Sequence, residues 1–263
     1  MKPNQIICGD NVETMSGFPD DCIDLVVTSP PYDQLRTYGG HSWDFEGVAN
    51  QLWRVIKPGG VVVWVVADQT VAGSESGESF RQALRFKEIG FRLHDTMIWR
   101  KTCFSPGDGR YRYHDVFEFM FVLSKLRPAK CNIIRDVPVR EGDAGLEYKN
   151  TTDRRRDQSN SRKQRSTWVQ PSHGFRQNVW DMTSGANGND ANGKKHPATF
   201  PYDLARDHIL SWSNEGDLVL DPFAGSFTTC RAAMDNGRDW IGIEVNPEYC
   251  EIGQKRLKQK VLF

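Results

Sequence analysis

The sequence predicts a doubly wound α/β fold built on a mostly parallel sheet, and three observations carry that reading. Val61-Val62-Val63-Trp64-Val65-Val66 is continuously apolar, as a strand covered on both faces must be. Short apolar runs of this kind alternate along the chain with stretches of helical period. Near the far end, the run Asp217 to Asp221 passes into a loop of small residues that opens a helix, the usual nucleotide-binding arrangement.

In chain order, Gln5 to Cys8 reads as a first strand, Gly9-Asp10-Asn11 as a turn into a short helix, and Ile23 to Val27 as the next strand, together one βαβ unit. Phe45 to Val55 follows as a helix, terminated by Lys57-Pro58-Gly59-Gly60 ahead of the buried strand Val61 to Val66. Ser79 to Ile89 reads as helix, with Thr96 to Trp99 and Val116 to Leu123 as further core strands. Trp240 to Glu244 is a last short apolar strand ending in an acid.

From about Arg140 to Lys195 the pattern changes: apolar residues thin out while Arg, Lys, Ser, Asn and Gly accumulate, as in a linker or a binding insert. Trp168 and Trp180 offer this segment some packing, and Ser184 to Gly193 reads as a connector.

Two constellations carry chemistry. Thr28-Ser29-Pro30-Pro31-Tyr32 directly follows the strand ending at Val27. Two prolines fix the backbone and supply carbonyl oxygens without competing N–H groups. A serine hydroxyl beside such a carbonyl can engage both protons of an exocyclic amine while Tyr32 stacks on the ring, which suits a nucleobase. In the second constellation, Gly225 admits a ligand to the backbone, Ser226 and Thr228 suit the helix start, and Glu244 lies at the spacing of a ribose-binding acid. The loop has neither the full Gly-x-Gly-x-x-Gly spacing nor the Lys-Ser/Thr pair of a phosphate loop, so a nucleoside without phosphates fits better than a dinucleotide or a triphosphate.

Composition narrows the field. The 34 basic and 34 acidic side chains give zero formal charge, so any contact with nucleic acid must come from a local patch. No secretory signal or run of 18 apolar residues is present, pointing to a soluble cytoplasmic protein. None of the six cysteines sits in a Cys-x-x-Cys pair or beside a histidine cluster, which argues against structural zinc or a disulfide framework.

Taken together, these residues resemble the S-adenosylmethionine-dependent amino-methylating DNA methyltransferases, in the permuted (β-type) order where the Pro-Pro-Tyr motif precedes the cofactor loop. The match covers most of the chain: the catalytic tetrad as Ser29, Pro30, Pro31 and Tyr32, the segment His196 to Pro201, the cofactor loop Asp221 to Phe227, and the ribose acid Glu244. The resemblance implies that family's Rossmann-like sheet with an inserted target-recognition region, divided as a catalytic half (1–140), an insert and connector (141–193) and a cofactor half (194–263). It sets S-adenosylmethionine against Asp10, Thr28, His196, Pro197, Ala198, Phe200, Asp221, Pro222, Phe223, Ala224, Gly225, Ser226, Thr228, Glu244 and Val245. The first strand should then lie beside the last ones, bringing Asp10 towards the cofactor adenine.

The implied partner is double-stranded DNA. Between Glu147 and Arg165 seven basic residues face three acids, and the resemblance converts this run from a solvated loop into a phosphate-contact surface made of Arg154, Arg155, Arg156, Arg162, Lys163 and Arg165. Arg36 and Tyr38, in the loop after Tyr32, face the same DNA. A homodimer and a cognate restriction endonuclease are further partners that the resemblance allows; no metal is implied.

The type of methyl transfer follows from chemistry. Methylation at cytosine C5 needs a Cys nucleophile, usually after proline, and no cysteine here follows a proline. An exocyclic amine needs no covalent intermediate, only positioning of the nitrogen lone pair. Within the family, Ser rather than Asp at the first catalytic position resembles the branch that methylates cytosine N4; adenine N6 is the close alternative, and a catalytically silent nucleic-acid-binding relative the alternative of another class. Asp68 is a candidate acceptor for the departing proton, although an Asp just after a strand more often caps a turn or helix. Phe227 departs from the family's usual last loop glycine, and its β-carbon and ring are expected to exclude a left-handed backbone there.

Overall fold

The structure, a computed structural model, describes residues 1–31, 43–103, 111–149, 167–183 and 201–258. Its strands are β1 (Gln5–Cys8), β2 (Ile23–Thr28), β3 (Ile56–Val66), β4 (Thr70–Val71), β5 (Ser74–Glu75), β6 (Arg92–Lys101), β7 (Phe117–Ser124), β8 (Arg135–Pro138), β9 (Glu147–Lys149), β10 (Thr167–Val169), β11 (His173–Phe175), β12 (Val179–Met182), β13 (Leu218–Asp221) and β14 (Asp239–Glu244). The helices are α1 (Asn11–Ser16), α2 (Phe45–Val55), α3 (Glu78–Ile89), α4 (Tyr202–Trp212), α5 (Thr228–Asp235) and α6 (Pro247–Lys258).

These elements divide into two compact units, residues 1–132 with 178–263, and residues 133–177. The larger unit holds an eight-stranded sheet in the order β1-β14-β13-β2-β3-β7-β6-β12. β1 through β3 run parallel in that order, β7 is antiparallel to both its neighbours, and β12 pairs parallel with β6. The apolar run of β3 is split by its period of two: Val61, Val63 and Val65 face one core with Leu204, Ile209 and Ala233, while Val62, Trp64 and Val66 face another with Leu52, Ala83 and Phe86. The sheet is therefore covered on both sides, the mixed α/β arrangement expected. The only polar atom of the Trp64 side chain donates to Gln82 Oε1 at 2.8 Å, so the fully buried indole leaves no orphaned donor.

Two local readings meet the structure differently. Lys57-Pro58-Gly59-Gly60 does not separate helix from strand: α2 ends at Val55 and the strand begins at Ile56, with Gly59 at φ 83° exchanging hydrogen bonds with 125–129. The turn signal survives as a bulge: pairing with β2 passes from Ile23–Ile56 to Leu25–Val61, so 57–60 loop out of that ladder. Asp68 caps, the commoner role for an Asp just after a strand: its carboxylate accepts from Ser76 Oγ at 2.9 Å, from the Ser79 N–H at 3.1 Å and from Ser79 Oγ. Although burial opposes it, this hydrogen bonding holds its pKa below the usual carboxylate value, which makes it a poor proton acceptor.

The smaller unit is a nested antiparallel ribbon, β8 with β11 and β9 with β10. Tyr148 and Trp168 stack across it with ring centroids 5.2 Å apart and both rings substantially exposed, and Arg135 lies 3.7 Å over the Phe175 ring. Trp180 belongs to the larger unit, buried in β12 against the His208 ring.

Among the described residues, no helix is long and apolar enough to cross a membrane, and no cluster of His, Cys, Asp or Glu is arranged to hold a metal.

Candidate active site

The site is built where β2 and β13 leave the sheet side by side. Both strands end in polar residues that meet in the interior: Thr28 Oγ1 donates to Asp221 Oδ1 at 2.7 Å, with both residues buried. The same carboxylate accepts from the Phe223 N–H at 3.1 Å. Burial pushes Asp221 up to about 6, against the opposing pull of hydrogen bonds from Thr28, Phe223 and Thr229, with the Glu244 charge adding to the rise. Thr229 Oγ1 also reaches across to the Val27 carbonyl at 3.0 Å, so the start of α5 is tied to the strand that carries the Ser-Pro-Pro turn.

Ser29 and Pro31 are half-buried and Pro30 is buried at the mouth of this junction. Tyr32, Arg36 and Tyr38 lie outside the described residues, as do His196, Pro197, Ala198 and Phe200.

The loop after β13 is held from four sides. The Pro222 carbonyl accepts from Asn11 Nδ2 at 3.1 Å, and the Ala224 N–H donates to the Ile243 carbonyl at 2.9 Å. The Gly225 N–H, at φ 48°, donates to Glu244 Oε2 at 2.8 Å, while Glu244 Oε1 accepts from the Asn246 N–H at 2.9 Å. From α6, Arg256 Nη1 donates to the Ser226 carbonyl at 2.8 Å and to Thr228 Oγ1 at 3.2 Å. The Phe223 ring turns inward onto Trp43, 5.1 Å away and edge to face, so its side chain packs the core under the loop.

Phe227 contradicts the expectation for its backbone. It is left-handed, at φ 61° and ψ 32°, and fully buried. A non-glycine residue in this conformation costs about 1–2 kcal/mol, and burial of a whole phenylalanine side chain outweighs that at about 1.5–3 kcal/mol. It also displaces the expected helix cap: Phe227 is the N-cap of α5 without a side-chain bond, while Ser226 Oγ and Thr228 Oγ1 bond to each other at 3.1 Å.

Asp10 stands at the end of β1, which pairs with β14 as anticipated, and the Gly9 N–H donates to the Glu244 carbonyl at 3.0 Å. Its side chain is exposed and caps α1 through the Glu13 N–H at 2.8 Å. Val245 is 40% exposed just beyond Glu244. Three carboxylates thus end three neighbouring strands: Asp10 just after β1, Asp221 on β13 and Glu244 on β14. Asp221 is closed off in the interior, which leaves Asp10 and Glu244 as the acids that can meet a ligand; such a pair suits hydroxyls and positive charge and disfavours phosphate. A sulfonium nucleoside fits.

The six basic residues singled out for DNA contact, Arg154, Arg155, Arg156, Arg162, Lys163 and Arg165, lie outside the described residues. Sequence reasoning missed Asn11 and Arg256 as loop anchors, since nothing local marks an amide in a first helix or an arginine in a last one as partners of a loop 211 or 30 residues away.

Residues 23–255 match the family model described as DNA methylase, which groups N6 and N4 methyltransferases. The orphan methyltransferase M.BamHII of Bacillus amyloliquefaciens is 48% identical over 246 residues, covering 92% of each chain. The DNA adenine methyltransferase YhdJ of Escherichia coli K12 is 29% identical, covering 96% of this chain and 82% of that one. Among solved structures, the cytosine-N4-specific PvuII DNA methyltransferase superimposes with a TM-score of 0.73 at 22% identity, covering 100% of this chain and 89% of that one, a likeness of fold. TTHA0409 of Thermus thermophilus, in complex with S-adenosyl-L-methionine, superimposes with a TM-score of 0.62 at 25% identity, covering 96% and 93%.

Proposed function

The chain belongs to the DNA methylase family of N6 and N4 methyltransferases, and from that premise we propose that it transfers the methyl of S-adenosylmethionine to the exocyclic N4 amine of cytosine in duplex DNA. The family is S-adenosylmethionine-dependent, and the bound cofactor supplies an electrophilic methyl group on a sulfonium. The observation that carries the reading is the buried Thr28–Asp221 hydrogen bond: it fixes the Ser29-Pro30-Pro31 turn beside the small-residue loop, so that a base and a nucleoside cofactor would meet at one junction.

In this reading Ser29 Oγ and the Pro30 carbonyl accept the two amine protons, favouring a pyramidal nitrogen whose lone pair points at the methyl donor. The base leaves the duplex to reach them and Tyr32 stacks on it. Glu244 accepts the ribose hydroxyls, sharing or exchanging its Gly225 contact. Asp10 lies on the adenine side, and the remaining residues of the loop and of 196–200 line the cofactor. The methylated nitrogen then loses a proton to solvent, since Asp68 is engaged in capping.

We further assign residues 1–140 to a catalytic half, 141–193 to target recognition and 194–263 to a cofactor half, in permuted order, with Arg36, Tyr38 and the six basic residues of 154–165 on the DNA. Serine at position 29 supports cytosine N4. The name of the adenine-methylating relative supports adenine N6 as the second reading. Mass spectrometry of nucleosides from DNA treated with the protein and S-adenosylmethionine tests both: N4-methylcytosine is expected, N6-methyladenine would establish the alternative, and unmodified nucleosides would refute the assignment.

A further inference from the structure

Phe227 joins two constraints that are rarely found together, a left-handed backbone and a ring with no exposure. The ring lies where β14 and α6 each present a glycine. A β-carbon on Gly242 would sit 2.7 Å from Phe227 Cε1, and one on Gly253 would sit 2.5 Å from Cε2 and 2.8 Å from Cγ. At Gly253 the ring alone fills the space a side chain would need, and at Gly242 the ring and Cys230 Sγ, also 2.7 Å away, fill it together.

The ring and the loop conformation are also one choice. The Phe227 N–H closes the turn around Gly225 and Ser226 by donating to the Ala224 carbonyl at 2.6 Å, and Phe227 occupies the left-handed region at the turn's end. Gly242 lies on the same strand, two residues before Glu244, whose carboxylate takes the Gly225 N–H. The loop therefore has three fasteners to β14: the Ala224 N–H on the Ile243 carbonyl at its start, the Glu244 carboxylate on the Gly225 N–H, and the apolar seat of the ring at its end. A ribose that draws on Glu244 weakens the middle one, and of the two that stay the ring is the one beyond Gly225 and Ser226.

We propose that Phe227 is a positioning residue for the cofactor: its ring, clamped between Gly242 and Gly253, holds the Gly225–Ser226 turn in the binding geometry while Glu244 is engaged by the ribose. The proposal rests on the reading of this loop as the cofactor site. It is tested by calorimetric titration with S-adenosylhomocysteine, which binds without turnover, on the wild-type chain and on Phe227→Ala, Phe227→Gly and Phe227→Leu, with folding checked by circular dichroism.

Loss of the preorganised loop should weaken binding by about tenfold or more in the Ala and Gly variants, whereas Leu, which refills the space, should stay within about threefold. At saturating cofactor, kcat and the KM for DNA should remain within about threefold of wild type, the signature of lost cofactor binding alone. Gly253→Ala, which leaves the ring but drives it from its seat, should reproduce the loss, and it should cost nothing further when combined with Phe227→Ala; this arm decides the matter if Phe227→Ala does not fold. Wild-type affinity in Phe227→Gly would overturn the proposal, because the left-handed backbone alone would then suffice, and so would a parallel fall in kcat and DNA binding. If the wild-type chain does not bind S-adenosylhomocysteine, the cofactor reading itself fails.

Discussion

Replacing Thr28 with valine removes one hydroxyl and little else, and its effect should depend on pH in a specified direction. Thr28 Oγ1 donates to a fully buried carboxylate at 2.7 Å. Asp221 has a folded pKa raised to about 6 from 3.8. Its contribution to stability is therefore fully present below about pH 4 and is lost as pH rises through 6, a change on the order of 3 kcal/mol. The threonine hydroxyl moderates that loss by bonding the ionised form. At pH 8, where Asp221 is charged, Thr28→Val should remove a hydrogen bond to a charged group, costing about 1.5–3 kcal/mol. For a chain of this size that corresponds to a Tm lower by roughly 3–12 °C. At pH 5 Asp221 is mostly protonated and only a neutral hydrogen bond is lost, so the cost should shrink to about 0.5–1.5 kcal/mol. Calorimetric melts of both proteins at the two pH values provide the measurement. An equal Tm difference at pH 5 and pH 8, or none at pH 8, would refute the assignment of a buried, titrating Asp221 held by Thr28.

Ser29→Ala should lower the methylation rate roughly 10²–10³-fold, the cost of one well-placed hydrogen bond in a dry site, while cofactor affinity measured by titration stays near wild type; an undiminished rate would remove Ser29 from the mechanism. Glu244→Ala should weaken S-adenosylhomocysteine by about 1–3 kcal/mol through unpaired hydroxyls without altering duplex binding, and an unchanged dissociation constant would place the ribose acid elsewhere. Neutralising Arg154, Arg155 and Arg156 together should flatten the slope of log affinity against log salt by up to about 2–3, weakening all duplexes alike in fluorescence titrations. Lost sequence discrimination at a preserved slope would place these residues on base edges instead.

Much of the larger unit was legible because its signals are local. The apolar run at 61–66 requires a strand covered on both faces, and Phe45–Val55 forms a helix with the bounds its periodicity marks. The two motifs are also contiguous stretches, so they could be picked out before their positions were known. What escaped depends on distant partners. Phe227 adopts a backbone that steric rules disfavour because two glycines, 15 and 26 residues further on, vacate a seat for its ring. Glu244 was read as a ligand-binding acid, yet its carboxylate also bonds the Gly225 and Asn246 N–H groups, a duty visible only once β13 and β14 are adjacent. The strand Val179–Met182 carries too short an apolar signal to stand out in a polar stretch, and its pairing with β6 makes it part of the sheet.

The pairing of β1 with β14 joins residues far apart in the chain. The hydrogen bond from the Trp240 N–H to Asn4 Oδ1 spans 236 residues, and the Thr28–Asp221 contact spans 193. On a ribosome adding about 5–20 residues per second, the first strand waits roughly 12–50 s for its neighbour in the sheet. During that interval Ile6 and Ile7 and the flank of β2 that will receive β13 wait for their partner strands. Closing so long a loop slows the step that completes the sheet more than it alters the final stability. The Thr28–Asp221 junction, where we propose that base and cofactor meet, is consequently among the last parts of the larger unit to form.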